Sequence, residues 1–311
     1  MKNIIEFYYN INIDELHNKN DYYYFYINNN YYIFKLYQDD INRSNDIYNL
    51  NIYIINYINI DKIILNKYNS STTKVKDDYY ILILKRNNNN NNNNNNISLY
   101  NIMNMSSIQI NQNNIKLLER NNWELLWSNM IDYFELQIGE NDKKYPLLRE
   151  SFDYFIGLTE NAISYLVNTK REVKKEITDT MVISHNNLFT SIYDPVNIIL
   201  DHRGRDVAEY IKLSFYYNNS NIFNELDEYF KYNYYSVYGI RVLLARILYP
   251  SFYFKLYNDI ILGKKEENEI NTIISRINAY ENYLYDVYLY FKKFYDIPIP
   301  EWIKKQGIIP R

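Results

Sequence analysis

The sequence predicts an α+β protein of two lobes: a small β-rich N-terminal lobe over residues 1–86 and a large helical C-terminal lobe over 97–311. Three observations predict it. Residues 1–86 string together aromatic and β-branched runs broken by asparagine turns. Ten consecutive asparagines, 87–96, then interrupt the chain. From Ile97 onward apolar residues recur at helical spacing. A chain of 311 residues, 47% of them hydrophobic, can bury a core of that size.

The elements follow in order. Asp21–Tyr37, DYYYFYINNNYYIFKLY, reads as two strands around Asn28-Asn29-Asn30, because asparagine tolerates positive φ. Ser44 is placed to cap a helix running to about Ile58, with Ile47, Leu50, Ile54 and Ile58 on one face. Strands are expected near Lys62–Lys67 and Tyr79–Leu84. The asparagine run reads as a flexible spacer at the hinge position of a two-lobed protein, since asparagine cannot build a core. Leu117–Ile138 places Trp123, Leu126, Trp127, Met130, Phe134 and Ile138 on one helical face. Pro146 opens the next helix. A strand, a turn and a strand follow. Further helices are expected at about Val207–Tyr217, Asn221–Tyr232, Tyr238–Tyr249 and Asn271–Phe294.

Composition excludes several classes. No cysteine is present, so disulfides, thiolate zinc sites and a Cys nucleophile are ruled out. A net charge of −3 gives no electrostatic case for nucleic acid. No apolar run reaches the length of a membrane span, and the N-terminus lacks a signal-peptide core, so synthesis in the cytoplasm is expected. Tyrosine supplies 38 residues, which reads either as AT-rich codon usage or as a cross-linkable surface.

The segment Val182–Lys212, VISHNNLFTSIYDPVNIILDHRGRDVAEYIK, carries the chemistry. It runs strand, His-containing turn, strand, Asp, helix, the order in which kinase-like phosphotransferases place a catalytic loop and a metal-binding Asp. Four phrases then resemble one family: PLLRESFDYFIGLTENAISYLV (Pro146–Val167), ILDHRGRDVAEYIK (Ile199–Lys212), RVLLARILYPSFYF (Arg241–Phe254) and PIPEWIKKQG (Pro298–Gly307). They resemble the spore coat YutH family, which is similar to CotS-like coat proteins and to aminoglycoside and choline phosphotransferases. The resemblance implies a two-lobed, protein-kinase-like (aminoglycoside phosphotransferase-like) fold. It also implies a place in the spore coat, with other spore coat proteins as partners.

Measured against that fold, the catalytic parts are depleted. A phosphate-covering loop needs glycines, and the first glycine is Gly139. Lys35 stands where a phosphate-holding strand lysine would, or is an ordinary strand lysine. Asp46 is the only acid in the helix that should supply its glutamate partner. Laid on H-G-D-x4-N, His185 matches the His, Asn187 replaces the Asp, and Ile192 falls at the metal-binding Asn. Asn187 has no basicity, and Ile192 offers Mg²⁺ no oxygen. His185 then reads as a structural brace for the loop. Asp201 is the one retained metal-ligand candidate, and Arg205 and Asp206 read as structural anchors of the next helix. A zinc site of His185, Asp201 and His202 is disfavoured, because adjacent strand residues point to opposite faces.

These readings lead to a degenerate kinase-like fold, a pseudokinase acting as a coat scaffold or interaction protein without catalysis. The alternative is an active or nucleotide-binding phosphotransferase using ATP and Mg²⁺, with Asn197, Asp194 or Asp179 supplying oxygen ligands. A third reading is a structural coat component cross-linked through exposed tyrosines.

Overall fold

A computed structural model describes residues 1–19, 21–86, 97–110, 115–120, 122–141, 143–188 and 190–305. The asparagine run read as a spacer lies outside the described residues. The chain forms two compact units, Met1–Arg120 with Met181–Asp201, and Asn121–Thr180 with His202–Arg311. The unit built on the sheet thus continues past the asparagine run and takes back a later hairpin.

The first unit opens with α1 (Lys2–Tyr9), followed by β1 (His17–Lys19), β2 (Tyr22–Ile27) and β3 (Asn30–Leu36). Asn28 and Asn29 join β2 to β3 at φ 49° and 63°. Two successive left-handed residues make the tight turn that matches strand twist. Then come α2 (Arg43–Ile54), β4 (Lys62–Ile64), β5 (Thr73–Val75), β6 (Asp78–Lys85) and α3 (Leu99–Ser106). The antiparallel sheet runs β1-β2-β3-β6-β4, with β5 also on β6. Its two faces follow from register. Phe25, Phe34 and Leu82 face α1 and pack with Ile5, Tyr9 and Ile13. Ile63, Ile81 and Ile83 on the other face pack with Ile47, Leu50 and Ile54 of α2. Two strands from later in the chain, β7 (Met181–His185) and β8 (Ile198–His202), form a ribbon and complete that second core with Ile183, Ile198 and Leu200.

Helix α2 differs from expectation at both ends. It starts at Arg43 from a turn closed by the Arg43 N–H to Asp40 carbonyl bond of 3.0 Å, so Ser44 lies inside the first turn and is no cap. It stops at Ile54, where Tyr57 N–H turns back onto the Ile54 carbonyl at 2.9 Å.

The second unit contains α4 (Trp123–Asn141), α5 (Pro146–Glu172), α6 (Gly204–Tyr216), α7 (Ile222–Tyr232), α8 (Val237–Leu248), α9 (Ser251–Ile261), α10 (Asn271–Ile274), α11 (Ile277–Lys292) and α12 (Glu301–Lys305). Helix α4 begins six residues later than the apolar period suggests. Residues Lys116–Leu118 make a 3-10 turn, and Arg120 N–H bonds the Leu200 carbonyl of β8 at 2.8 Å. Trp123, Trp127, Phe134 and Ile138 are buried as read, but Leu126 is exposed and Ile131 takes its place. The single helix expected over Asn271–Phe294 is broken at Ser275–Arg276. There the Arg276 guanidinium donates to the Phe215 and Tyr216 carbonyls at the end of α6, 2.9 and 3.3 Å away.

Nine of the 38 tyrosines are exposed, twelve are buried in the core, and the others are half-buried. Tyr253 stacks on Phe155 at 3.9 Å and shares a hydrogen bond of 3.1 Å with Ser151 Oγ. Tyr280 Oη donates to the Ile247 carbonyl at 3.1 Å. A buried hydroxyl left without such a partner costs stability. The cross-linking reading therefore rests on the nine exposed tyrosines and the half-buried ones.

Candidate functional site

The residues singled out in the catalytic loop lie in the first unit, around the β7–β8 ribbon. His185 ends β7 and is buried. Its Nε2 lies 3.1 Å from the Ile192 carbonyl, so the ring closes the loop against its own backbone. Ile192, the residue that fixed spacing assigns to the metal-binding asparagine, is itself buried apolar core.

Asn197 ends the 3-10 turn Pro195–Asn197 directly before β8 and stands four residues before Asp201. Its Oδ1 accepts the Asn187 N–H at 2.9 Å, and its Nδ2 donates to the Asn187 carbonyl at 2.9 Å and to the Ser191 carbonyl at 3.3 Å. This one amide staples the loop across ten residues and clamps the backbone of Asn187 on both sides. The sequence signal was present in the N-I-I-L-D run that leads into Asp201. Fixed spacing passes over Asn197 as the motif's asparagine, because it lies twelve residues after His185 where the motif asks for seven, and it enters the sequence reading only as one alternative oxygen ligand.

Asp201 is completely buried in β8. Arg205 and Asp206 are buried in the first turn of α6, where an acid suits the positive helix end. His202 sits in the second unit. Its Nδ1 accepts the Gly204 N–H at 3.1 Å, and its Nε2 lies 4.0 Å from Asp179 Oδ1. Burial first, then the Lys175 and Arg203 charges, push its pKa down to about 3, so this ring is neutral. Asp179 accepts the Ser236 hydroxyl at 2.7 Å and the Glu176 N–H at 2.8 Å. These bonds lock the start of α8. Among the described residues no group of three or more His, Asp or Glu side chains could hold a metal ion.

Lys35 lies on β3, on the same sheet face as Ile33, Ile81, Ile83 and Lys85. Its ammonium is ion-paired with the Asp194 carboxylate, which also accepts the Val196 N–H at 3.1 Å. Asp46, the expected helix partner, instead accepts the Leu117 N–H at 3.3 Å. Nearby, the buried Asp61 pairs with Lys85 and accepts the Arg86 N–H at 3.1 Å. Burial raises the Asp61 pKa and Lys85 opposes the rise. Neither the β1–β2 turn nor the β2–β3 turn contains a glycine.

The family described as "Spore coat putative kinase YutH" matches residues 2–287. The chain belongs to this family. The endospore coat-associated protein YutH of Bacillus subtilis (strain 168) is 29% identical over 185 residues, 52% of this chain. The match spans 54% of that relative, about half its length. Solved structures share the fold. Spectinomycin phosphotransferase APH(9)-Ia, solved with ADP and spectinomycin, is 13% identical, covering 95% of this chain and 94% of its own, at a TM-score of 0.55. An aminoglycoside phosphotransferase from Alicyclobacillus acidocaldarius is 10% identical, covering 94% and 97%, at 0.56. At these identities the likeness establishes the kinase-like, aminoglycoside phosphotransferase-like fold and nothing about activity. No described helix is long and apolar enough to cross a membrane.

Proposed function

We propose that this protein is a spore coat-associated scaffold in which a phosphotransferase fold presents surfaces to other coat proteins and carries out no phosphoryl transfer. Family membership supports the coat context. The observation that carries the loss of catalysis is Asn187. Where the motif needs a carboxylate to accept the substrate's proton, the loop offers a carboxamide whose backbone is clamped on both sides by Asn197.

The remaining residues do not fit magnesium ATP. The strand lysine is already paired, and the Asn197 amide is committed to three bonds inside its own loop. Asp201 is a single buried carboxylate, and Mg²⁺ wants six oxygens in near-octahedral array. No reaction step is therefore assigned to this site.

The test is phosphoryl transfer from Mg²⁺-ATP by the purified full chain, measured as ADP release over hours at high enzyme concentration. The expected rate equals that of buffer. ADP release that disappears in Asp201→Ala defeats the proposal. A fluorescent fusion followed through sporulation tests the location, with a ring on the maturing spore as the expected image.

A further inference from the structure

We infer that Asp194 is an internal anion that holds Lys35 in place of a phosphate and thereby closes this site to polyphosphate ligands. The inference rests on the scaffold reading above and states how the site is kept empty of nucleotide.

Four observations carry it. The first is placement. Lys35 occupies the middle strand of the sheet, with Tyr22 and Ile81 as cross-strand neighbours, and its partner carboxylate comes from 159 residues further along the chain. The second is that Asp194 is delivered there by its neighbours and does not depend on the ion pair. The Asp61 N–H bonds the Tyr193 carbonyl at 3.1 Å, and Asn101 Nδ2 bonds Tyr193 Oη at 3.1 Å. Tyr193 and Val196 pack on the Ile63–Ile83 core. Asp194 Oδ1 also accepts the Val196 N–H, so the carboxylate is oriented before it meets the lysine. Such preorganisation lets an internal ligand outcompete a free one of equal charge.

The third observation is charge. Lys35 pairs with Asp194 and Lys85 with Asp61, so the four charges cancel. An entering triphosphate meets a neutral cluster containing two carboxylates. Both members of the Lys35–Asp194 pair are about three-quarters shielded from solvent. Screening by water and salt therefore weakens the pair less than it would an exposed one. The fourth is loop length. The spacing from His185 to Asn197 exceeds the motif by five residues, and Asp194 lies in the lengthened part.

Asp194→Asn is the informative variant. The amide is the same size, keeps an oxygen for the Val196 N–H, and leaves Lys35 without a counter-charge. The probe is sodium tripolyphosphate, titrated calorimetrically into the full chain at low salt. Wild type is expected to show no saturable binding at millimolar probe. Asp194→Asn should bind at least tenfold more tightly, and Asp194→Asn with Lys35→Met should return to the wild-type level. Lysine acylation with peptide mapping supplies a second readout. Lys35 should react faster in Asp194→Asn and be protected by the probe. Equal binding by wild type and Asp194→Asn, or Asp194→Asn binding that survives Lys35→Met, overturns the inference. If Asp194→Asn binds nothing and the wild type releases no ADP, the latch fails while the scaffold reading stands. ADP release by the wild type overturns both.

Discussion

The buried charges of the second unit give the most quantitative prediction. Lys212 is almost fully enclosed, and its ammonium donates to Glu209 Oε1 at 2.9 Å, Ser251 Oγ at 2.8 Å, and the Arg246 and Tyr249 carbonyls at 3.1 and 3.0 Å. Two of those acceptors are carbonyls at the end of α8, and the Tyr249 carbonyl also accepts the Ser251 N–H at 2.9 Å. Arg246 Nε reaches the same Glu209 oxygen at 2.8 Å, and Ser251 Oγ donates to the other at 2.8 Å. Glu209→Gln keeps the shape and removes the charge, leaving two cations enclosed against a neutral amide. Breaking one member of such a cluster costs about 3–5 kcal/mol. With a urea m-value of roughly 2 kcal/mol/M, the midpoint should fall by about 1.5 M or more.

The pH dependence gives an independent check. Burial raises the Glu209 pKa, but Lys212 and Arg246 outweigh it and bring the group down to about 2. The folded value lies below the roughly 4.3 of an unfolded chain. The stabilisation is therefore fully present above about pH 4.5 and is lost as pH falls towards 2. Wild-type stability should fall more steeply across that window than that of Glu209→Gln. A midpoint change under about 0.5 M, or parallel acid profiles, would refute the reasoning.

Four further outcomes are expected. Tyr257 is fully buried and its hydroxyl has no hydrogen-bond partner among the described residues, so Tyr257→Phe should be neutral or stabilising by about 1 kcal/mol in thermal unfolding. Tyr280→Phe, which loses a bond to the Ile247 carbonyl, should cost about 1 kcal/mol in the same assay. Gly239→Ala puts a Cβ 2.7 Å from Asp179 Oδ1 and 3.3 Å from the Tyr235 ring, so it should destabilise by about 1–3 kcal/mol. Asn187→Asp restores a carboxylate but not the other parts, and should release no ADP from ATP. Measurable turnover in that single variant would show that the rest of the site is intact.

Local signals in the sequence were reliable guides to the fold. The β2–β3 hairpin was legible because aromatic alternation and two asparagines state both strands and their turn. Helix α5 was legible at its start because Pro146 fits the first helical position, where its missing N–H costs nothing. What failed to show depended on partners far away in sequence. The delayed start of α4 comes from Arg120 bonding β8, and the break before α11 from Arg276 reaching the end of α6. Leu126 and Ile131 differ in burial although both fit an apolar period, because packing selects among near-equivalent positions. At the site, His185, Asn187 and Asp201 could be picked out by type and order. Lys35, Asn197 and Asp194 could also be picked out as candidates, but the loop-stapling role of Asn197 and the Lys35–Asp194 pairing could not be read, since loop length is free to change and a residue's type does not name its counter-ion.

The return of Met181–Asp201 to the sheet has a consequence for biosynthesis. When the first 120 residues leave the ribosome, α1 can already cover one side of the sheet. The other side still lacks Ile183, Ile198 and Leu200. That isoleucine-rich flank stays incomplete until residue 201 has been translated, and exposed surface of this kind invites association between nascent chains. A truncated product ending near Arg120 should therefore precipitate or be held by chaperones, because its missing wall is encoded by the later stretch Met181–Asp201.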